Sequence, residues 1–268
     1  MDVVKLGPLI IPFSAALTVL AIVTASATAD WLRRRRGVDA GTVLWRMIVA
    51  GFVAARAAFV LRHHDIYRQA PWSALDIRDG GFALAPGLLV AVVVGAELTR
   101  RRAELRRPLL ASVLAGGALW LGGALAAQML AAPQPPMPDV MVRRLDGSEL
   151  ALRSLAGRPL VINLWATWCP PCRREMPAMQ AAQEAHPDIG FVFVNQGESA
   201  AAVRAFLSSQ QLRLRNVVID PGGLLAARTG AAGYPTTLFY DADGKLRLRH
   251  MGELSEATLK DKLEALRP

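Results

Sequence analysis

The sequence predicts two unlike halves: an α-helical membrane domain with four spans, then an α/β domain built on a mixed sheet. Three observations predict this. Four long apolar runs fall before Ala132 and none of comparable length follows it; a proline cluster separates the regions; and the remainder alternates short apolar strands with helical patterns. The 268 residues suffice for two domains, expected at 1–132 and 139–268 with a Pro-rich linker at 133–138. Hydrophobic residues make up 53% of the chain and mean hydropathy is +0.28, an excess carried by the first half.

The apolar runs cover approximately 9–29, 43–61, 82–99 and 109–131. Each approaches the roughly 20 residues that an α-helix needs to cross the hydrocarbon core. The first reads as a span rather than a signal peptide, because it is long and four arginines at 33–36 follow it instead of a small-residue cleavage site. The formal net charge of +9 is uneven: residues 133–268 hold 16 basic and 14 acidic side chains, leaving 15 basic and 8 acidic upstream. The upstream excess sits in two short segments, 33–36 and Arg100, Arg101, Arg102, Arg106 and Arg107. Arginine-rich short loops stay in the cytoplasm. Loops one and three of a four-span protein share a side, so both termini are expected outside the cytoplasm. The 62–80 loop balances Arg62, Arg68 and Arg78 against Asp65, Asp76 and Asp79, which suits the opposite face. The charge is therefore topological, and no nucleic-acid partner is expected. The partner that the first half implies is the lipid bilayer. Arg46 and Arg56 fall within the second run, where ionisable residues are functional candidates or snorkel to the span ends. Ala118, Gly122 and Ala126 recur every four residues in the fourth, a spacing that permits close helix contact.

The stretch "AAPQPPMPD" favours extended polyproline II and reads as a semi-rigid spacer. Beyond it, "PLVINLWA" is a continuous apolar run, as in a strand buried on both faces. Pro170 and Pro171 open a helix to about Glu184, since proline in a first turn loses no hydrogen bond. "IGFVFVNQ" and "NVVID" read as further strands. "ESAAAVRAFLSSQQ" reads as a helix with Ala201, Ala202, Ala205 and Phe206 on one face, and "GGLLAARTG" as a short one. "TTLFYD" and "KLRLRHMG" flank "ADG", a hairpin signal, and a helix capped by Ser255 closes the chain.

Both cysteines lie in "NLWATWCPPCRREMP", residues 163–177. A staple closing so small a loop restrains little unfolded-state entropy. Zinc needs four ligands, and the sequence holds no second cysteine pair, while His186 and His250 are isolated. A redox pair needs CxxC at the start of a helix after a strand, and that context is present. Cys169 then falls at a helix N-terminus, where free N–H groups and the helix dipole favour its thiolate. Cys172, one turn further in, is positioned to resolve a mixed disulfide. No metal or cofactor is expected beyond the redox-active pair Cys169–Cys172. Arg173 and Arg174 either add positive charge beside it or form an exposed helix face.

The motif, with "GYPTT" at 233–237, resembles the membrane-tethered periplasmic TlpA/ResA thioredoxins, relatives of the cytochrome c maturation thioredoxins. The likeness covers residues 139–268 and implies a thioredoxin-like fold and protein-disulfide reductase activity in a bacterial periplasm. It implies that Pro235 is cis and faces the cysteines, with client contact at Trp168, Pro170, Pro171, Tyr234 and Thr236. Trp165 reads as core. Glu175 matches a family acid linked to proton handling, whereas ordinary thioredoxins carry a buried Asp at the position of Asn163; alternatively, Glu175 only complements the helix dipole. The implied partners are disulfide-bearing client proteins and a membrane thiol electron donor. No cysteine lies in the spans to relay electrons, and His63 and His64 are adjacent rather than paired across helices for haem. The reverse direction, donation of disulfides, keeps the same site.

"GFVAARAAFVL" followed by "GGFALAPGLLVA" is similar to the N-terminal half of prolipoprotein diacylglyceryl transferase. Ala85 stands where that family has a histidine, and its later spans have no counterpart. The resemblance therefore implies a reduced scaffold that binds lipid or lipoprotein, recruits a partner, or anchors the chain.

Overall fold

Proline decides where the first helix begins. In the computed structural model, which describes residues 3–6, 9–130 and 136–266, Leu9–Pro12 (β2) pairs antiparallel with Val3–Leu6 (β1) instead of starting the first span. Pro12 lacks an N–H and biases Ile11 towards an extended backbone, so α1 starts only at Phe13 (Phe13–Arg36). It ends where Gly37, at φ 71°, donates its N–H to the Arg33 carbonyl at 2.8 Å. The four arginines of the last turn face the negative end of the helix dipole.

Three helices follow the expected runs: α2 (Gly41–Arg62), α4 (Leu84–Thr99) and α5 (Ala103–Met129), with the short α3 (His64–Gln69) between the first two. The helix α5 begins six residues before its apolar run, so Arg106 and Arg107 lie on it and not in a loop. Arg106 turns back and donates to the Thr99 and Arg100 carbonyls, closing the end of α4. Three of the four apolar helices have the length and composition to cross a membrane. The fourth, α4, has 16 residues, about 24 Å at 1.5 Å per residue, against a hydrocarbon core of roughly 30 Å.

The helices pack as two pairs, α1 on α5 and α2 on α4. Ala118, Gly122 and Ala126 are exposed; the close approach of α5 to α1 runs instead through Gly116, where a Cβ would lie 2.7 Å from the Ala21 carbonyl oxygen. Arg46 is exposed. Arg56 is buried, and its guanidinium donates to the carbonyls of Ser73, Ala74 and Gly81, tying down the segment between α3 and α4. Between the helix pairs lies an apolar groove of about 560 Å³, lined in part by Ala21, Gly51, Phe52, Gly116 and Trp120.

The chain divides into two compact units: Met1–Leu75 with Gly81–Ala132, and Asp76–Gly80 with Pro133–Pro268. Of the expected linker, Pro133 and Pro135 lie outside the described residues. Its last part is pinned rather than free: Pro136 bridges to Lys245, and buried Met137 donates its N–H to the Gly244 carbonyl at 2.9 Å.

The C-terminal half holds a seven-stranded sheet in the order β4-β3-β7-β6-β5-β8-β9. Its elements are β3 (Met141–Arg144), β4 (Glu149–Ala151), β5 (Leu160–Trp165), α6 (Pro170–Ala185), β6 (Gly190–Gln196), α7 (Ala200–Ser209), β7 (Val217–Asp220), α8 (Leu224–Thr229), β8 (Thr236–Tyr240), β9 (Leu246–Met251) and α9 (Glu256–Glu264). The central strands β5, β6 and β7 run parallel, and β8, β9, β3 and β4 continue the sheet antiparallel. All residues of β5 and β6 are buried, which explains their largely apolar sequence, Asn163 and the Asn195-Gln196 end of β6 apart. Alternate side chains serve two cores, with Val161, Trp165 and Phe193 on one face and Leu160, Ile162 and Leu164 on the other. In α7 the buried positions are Val203 and Phe206, while Ala201, Ala202 and Ala205 are exposed. Ser255 caps α9 by accepting from the Thr258 N–H.

Candidate active site

The residue ending β5, Trp165, is wholly buried and anchors the turn that carries the cysteines. The Thr167 N–H and hydroxyl both reach the Glu198 carboxylate, at 2.7 and 2.5 Å, and Asn195 Nδ2 donates to the same group at 2.7 Å. Burial opposes the Glu198 charge, but these donors outweigh it and hold the carboxyl below its ordinary range. The turn before Cys169 is thus tied to the end of β6 by a charged brace. Nothing in the residue pattern around Glu198 marks this role.

Cys169 is the N-cap of α6, and Pro170 and Pro171 form its first turn. The Cys169 Sγ accepts from the Cys172 N–H at 3.3 Å, so the helix terminus directs a backbone donor at this sulfur. The two cysteines are joined as a disulfide with Cα atoms 5.3 Å apart. Both are buried, Cys169 being 3% exposed and Cys172 not at all. The following arginines are engaged elsewhere. Arg174 forms a two-pronged pair with Glu253, and the Arg173 guanidinium lies 5.7 Å from the Phe206 ring centre.

Sheet register brings the "GYPTT" segment to the same end of β5. Leu164 pairs with Thr236, so Pro235 stands just past the paired residues, beside the turn that leads to Cys169. The Tyr234–Pro235 peptide is cis. Trp168 is 65% exposed and meets Tyr234 edge-on, with ring centres 6.1 Å apart. These two rings, with exposed Pro170, rim the disulfide. Thr236 is buried, its hydroxyl donates to the Gly233 carbonyl at 2.6 Å, and it is paired within the sheet on both sides, to Leu164 and to Met251.

Glu175 points inward from α6 and is 1% exposed. As residue i+3 from Cys172 it lies on the same helix face, where Cβ atoms are about 5–6 Å apart. Asn163 Nδ2 donates to its Oε1 at 2.8 Å, and the Leu254 N–H to its Oε2 at 3.0 Å. Burial pushes the carboxyl up from 4.5 to about 8; the two donors partly oppose this and the charge of Glu253 adds to it. A first-turn acid that only complemented the helix dipole would face solvent. Among the described residues, no group of three or more His, Cys, Asp or Glu side chains is arranged to hold a metal ion.

Residues 132–266, just over half of the chain, match the Redoxin family. The chain belongs to the Redoxin family. Thioredoxin-like protein YneN of Bacillus subtilis (strain 168) is 33% identical over 131 residues, covering 47% of this chain and 76% of that protein. Thiol-disulfide oxidoreductase ResA of Bacillus thuringiensis subsp. konkukian is 30% identical over 133 residues, 49% of this chain and 76% of that one. Among solved structures, that of MTB dsbF in its mixed oxidized and reduced forms is similar at 28% identity and a TM-score of 0.46, covering 49% of this chain and 99% of that chain. By its likeness to ResA in sequence, the Redoxin half stands among the thiol-disulfide oxidoreductases. Residues 2–126 match the prolipoprotein diacylglyceryl transferase family, so the half that bears the apolar helices is similar to part of a second family.

Proposed function

We infer that the Redoxin half reduces disulfides in client proteins on the outer face of a bacterial inner membrane, with the first half crossing that membrane several times. The observation that carries the direction is the surroundings of Cys169. One N–H reaches its sulfur, both sulfurs are buried, and the nearby arginines are committed to Glu253 and Phe206. Burial without a cationic partner disfavours a thiolate, and a reduced form that is not stabilised makes the dithiol a reductant.

In this mechanism the Cys169 thiolate attacks one sulfur of a client disulfide. The client S–S bond breaks, a Cys169–client disulfide forms, and the departing client sulfur takes up a proton. Glu175 accepts the Cys172 proton, and Cys172 attacks the Cys169 sulfur. The second client thiolate leaves and is protonated. The client has gained two electrons, and the enzyme holds the Cys169–Cys172 disulfide. A base is most effective when its pKa lies near the working pH, which suits a carboxyl at about 8. Trp168, Tyr234 and the backbone around Pro235 present an apolar rim for an extended client segment, supported by their position around the disulfide. A separate dithiol donor in the membrane must restore the reduced state, since the described spans contain no cysteine.

The test is the equilibrium potential of the pair against a glutathione or dithiothreitol couple. A value near the roughly −270 mV of thioredoxin is expected, and one near the roughly −120 mV of DsbA would make the chain a disulfide donor instead. Cys169→Ser should abolish insulin reduction; retained activity would defeat both directions.

The apolar groove favours a second role in lipid binding. Its volume of about 560 Å³ lies within the roughly 300–1,000 Å³ common for ligand pockets. Phospholipid retained by the purified full chain is the expected result, and a chain purified without any would sink this role.

A further inference from the structure

Buried strands in a sheet core are apolar because an amide taken from water without partners costs several kcal/mol, about 1–3 by mutational measures. Asn163 breaks that rule in the middle of β5, at 1% exposure. Its amide nitrogen carries two hydrogens, and both have partners: Glu175 Oε1 at 2.8 Å and Thr237 Oγ1 at 3.0 Å. The register explains the meeting. Asn163 pairs with Thr237 across β5 and β8, so their side chains share one sheet face, and it is the face on which α6 presents Glu175. Two fixed acceptors orient the amide and leave its oxygen without a partner. The nitrogen end is therefore aimed at the carboxylate, an arrangement that favours the charged form of the acid over the neutral one.

We propose that Asn163 is a positioning residue for proton transfer: with the Leu254 N–H, it fixes the Glu175 carboxylate in place beside Cys172 and stabilises its ionised form. This rests on the role of Glu175 as the base in client reduction. The other groups around the acid do not supply the same help. Glu253, in the segment after β9, opposes ionisation and is itself bound by Arg174. His250 pairs with Thr237 on the same sheet face and is held neutral by burial, its value lowered to about 4. Lys262 of α9 acts on His250, with its own value lowered by burial. Cys172 lies on the same helix as the acid.

The test uses the full chain in detergent. The infrared band of the protonated Glu175 carboxyl, identified by its loss in Glu175→Gln, is titrated against pH in wild type, Asn163→Ala and Asn163→Asp. In parallel, the rate at which Cys172 resolves a Cys169–glutathione mixed disulfide is measured across the same range. Hydrogen bonds to charged groups are worth about 1.5–3 kcal/mol, so loss of this donor should raise the band midpoint by about one to two pH units. The pH profile of resolution should move with it. Asn163→Asp keeps the shape of the side chain, which guards against a variant that fails to fold, and places a second acid against the first, so it too should raise the midpoint. Midpoints unchanged in both variants would overturn the proposal. If Glu175→Gln resolves the mixed disulfide at the wild-type rate at every pH, the base role fails instead, and the band titration still reports whether Asn163 governs Glu175.

Discussion

Glu175 loses nearly all its water on folding, and two N–H groups replace only part of it. The carboxyl, raised from 4.5 to about 8 chiefly by burial, therefore keeps its proton in the folded chain over a range where the unfolded chain has lost it. Below 4.5 both states are protonated, and this group subtracts nothing from stability. Between 4.5 and about 8 only the unfolded state ionises, so stability falls as pH rises; above about 8 the folded state ionises too and the loss levels off. The full difference is on the order of 5 kcal/mol. Gln at this position cannot ionise, though it leaves one of the two N–H donors facing an amide NH₂, at about 1 kcal/mol. Thermal unfolding of oxidised wild type and Glu175→Gln should therefore diverge between pH 5 and 9, with the variant the more stable at the alkaline end. Comparison with the variant separates this effect from His250, whose lowered value costs stability at acid pH. Parallel curves for the two proteins would mean that Glu175 is not held neutral by its surroundings.

At the scale of elements, β5, β6, β7 and β8 are legible in the sequence because strands buried on both faces leave mostly apolar runs. The strands β3 and β4, at one side of the sheet, are not, because one reads "MVRR" and the other "ELA", with one buried residue each. A usable signal did exist: Asp146-Gly147 lies between them, and Gly147 takes φ 94° in the turn. The cysteine motif and the "GYPTT" segment were readable as local patterns. The Asn163–Glu175 and Thr167–Glu198 contacts were not, because they join residues 12 and 31 positions apart that only the packing of α6 and β6 brings together. Short elements depend on such single contacts. The first turn of α8 has no side-chain cap of its own, and its Leu224 and Leu225 N–H groups donate to the buried Asp220 carboxylate at 3.0 and 2.8 Å. Asp220→Ala strands both donors and should cost about 1–3 kcal/mol. Phe193→Ala, at a fully buried position of central β6, should cost about 3–5 kcal/mol through the cavity it leaves. Denaturant midpoints check both, and a smaller loss for Phe193→Ala than for Asp220→Ala would mean that capping outweighs core packing in this sheet.

For the whole molecule, the arginines set an orientation that the fold makes testable. The last turn of α1 and the α4–α5 connection carry them, while the connection through α3 carries nearly balanced charge. If positively charged short loops are retained in the cytoplasm, the α3 side and the Redoxin half lie outside. Replacing Cys169 and Cys172 by serine removes both native thiols, so a single introduced cysteine reports its own side. Ser73 is exposed in the segment after α3, and Arg101 is exposed between α4 and α5. Ser73→Cys should react with a membrane-impermeant maleimide in intact spheroplasts, and Arg101→Cys only after permeabilisation. The test also bears on the short helix α4: if its 16 residues lay along the surface instead of crossing, the two cysteines would label alike. The opposite pattern, with Arg101→Cys labelled first, would put the disulfide in the cytoplasm, where reducing thiols keep such pairs open.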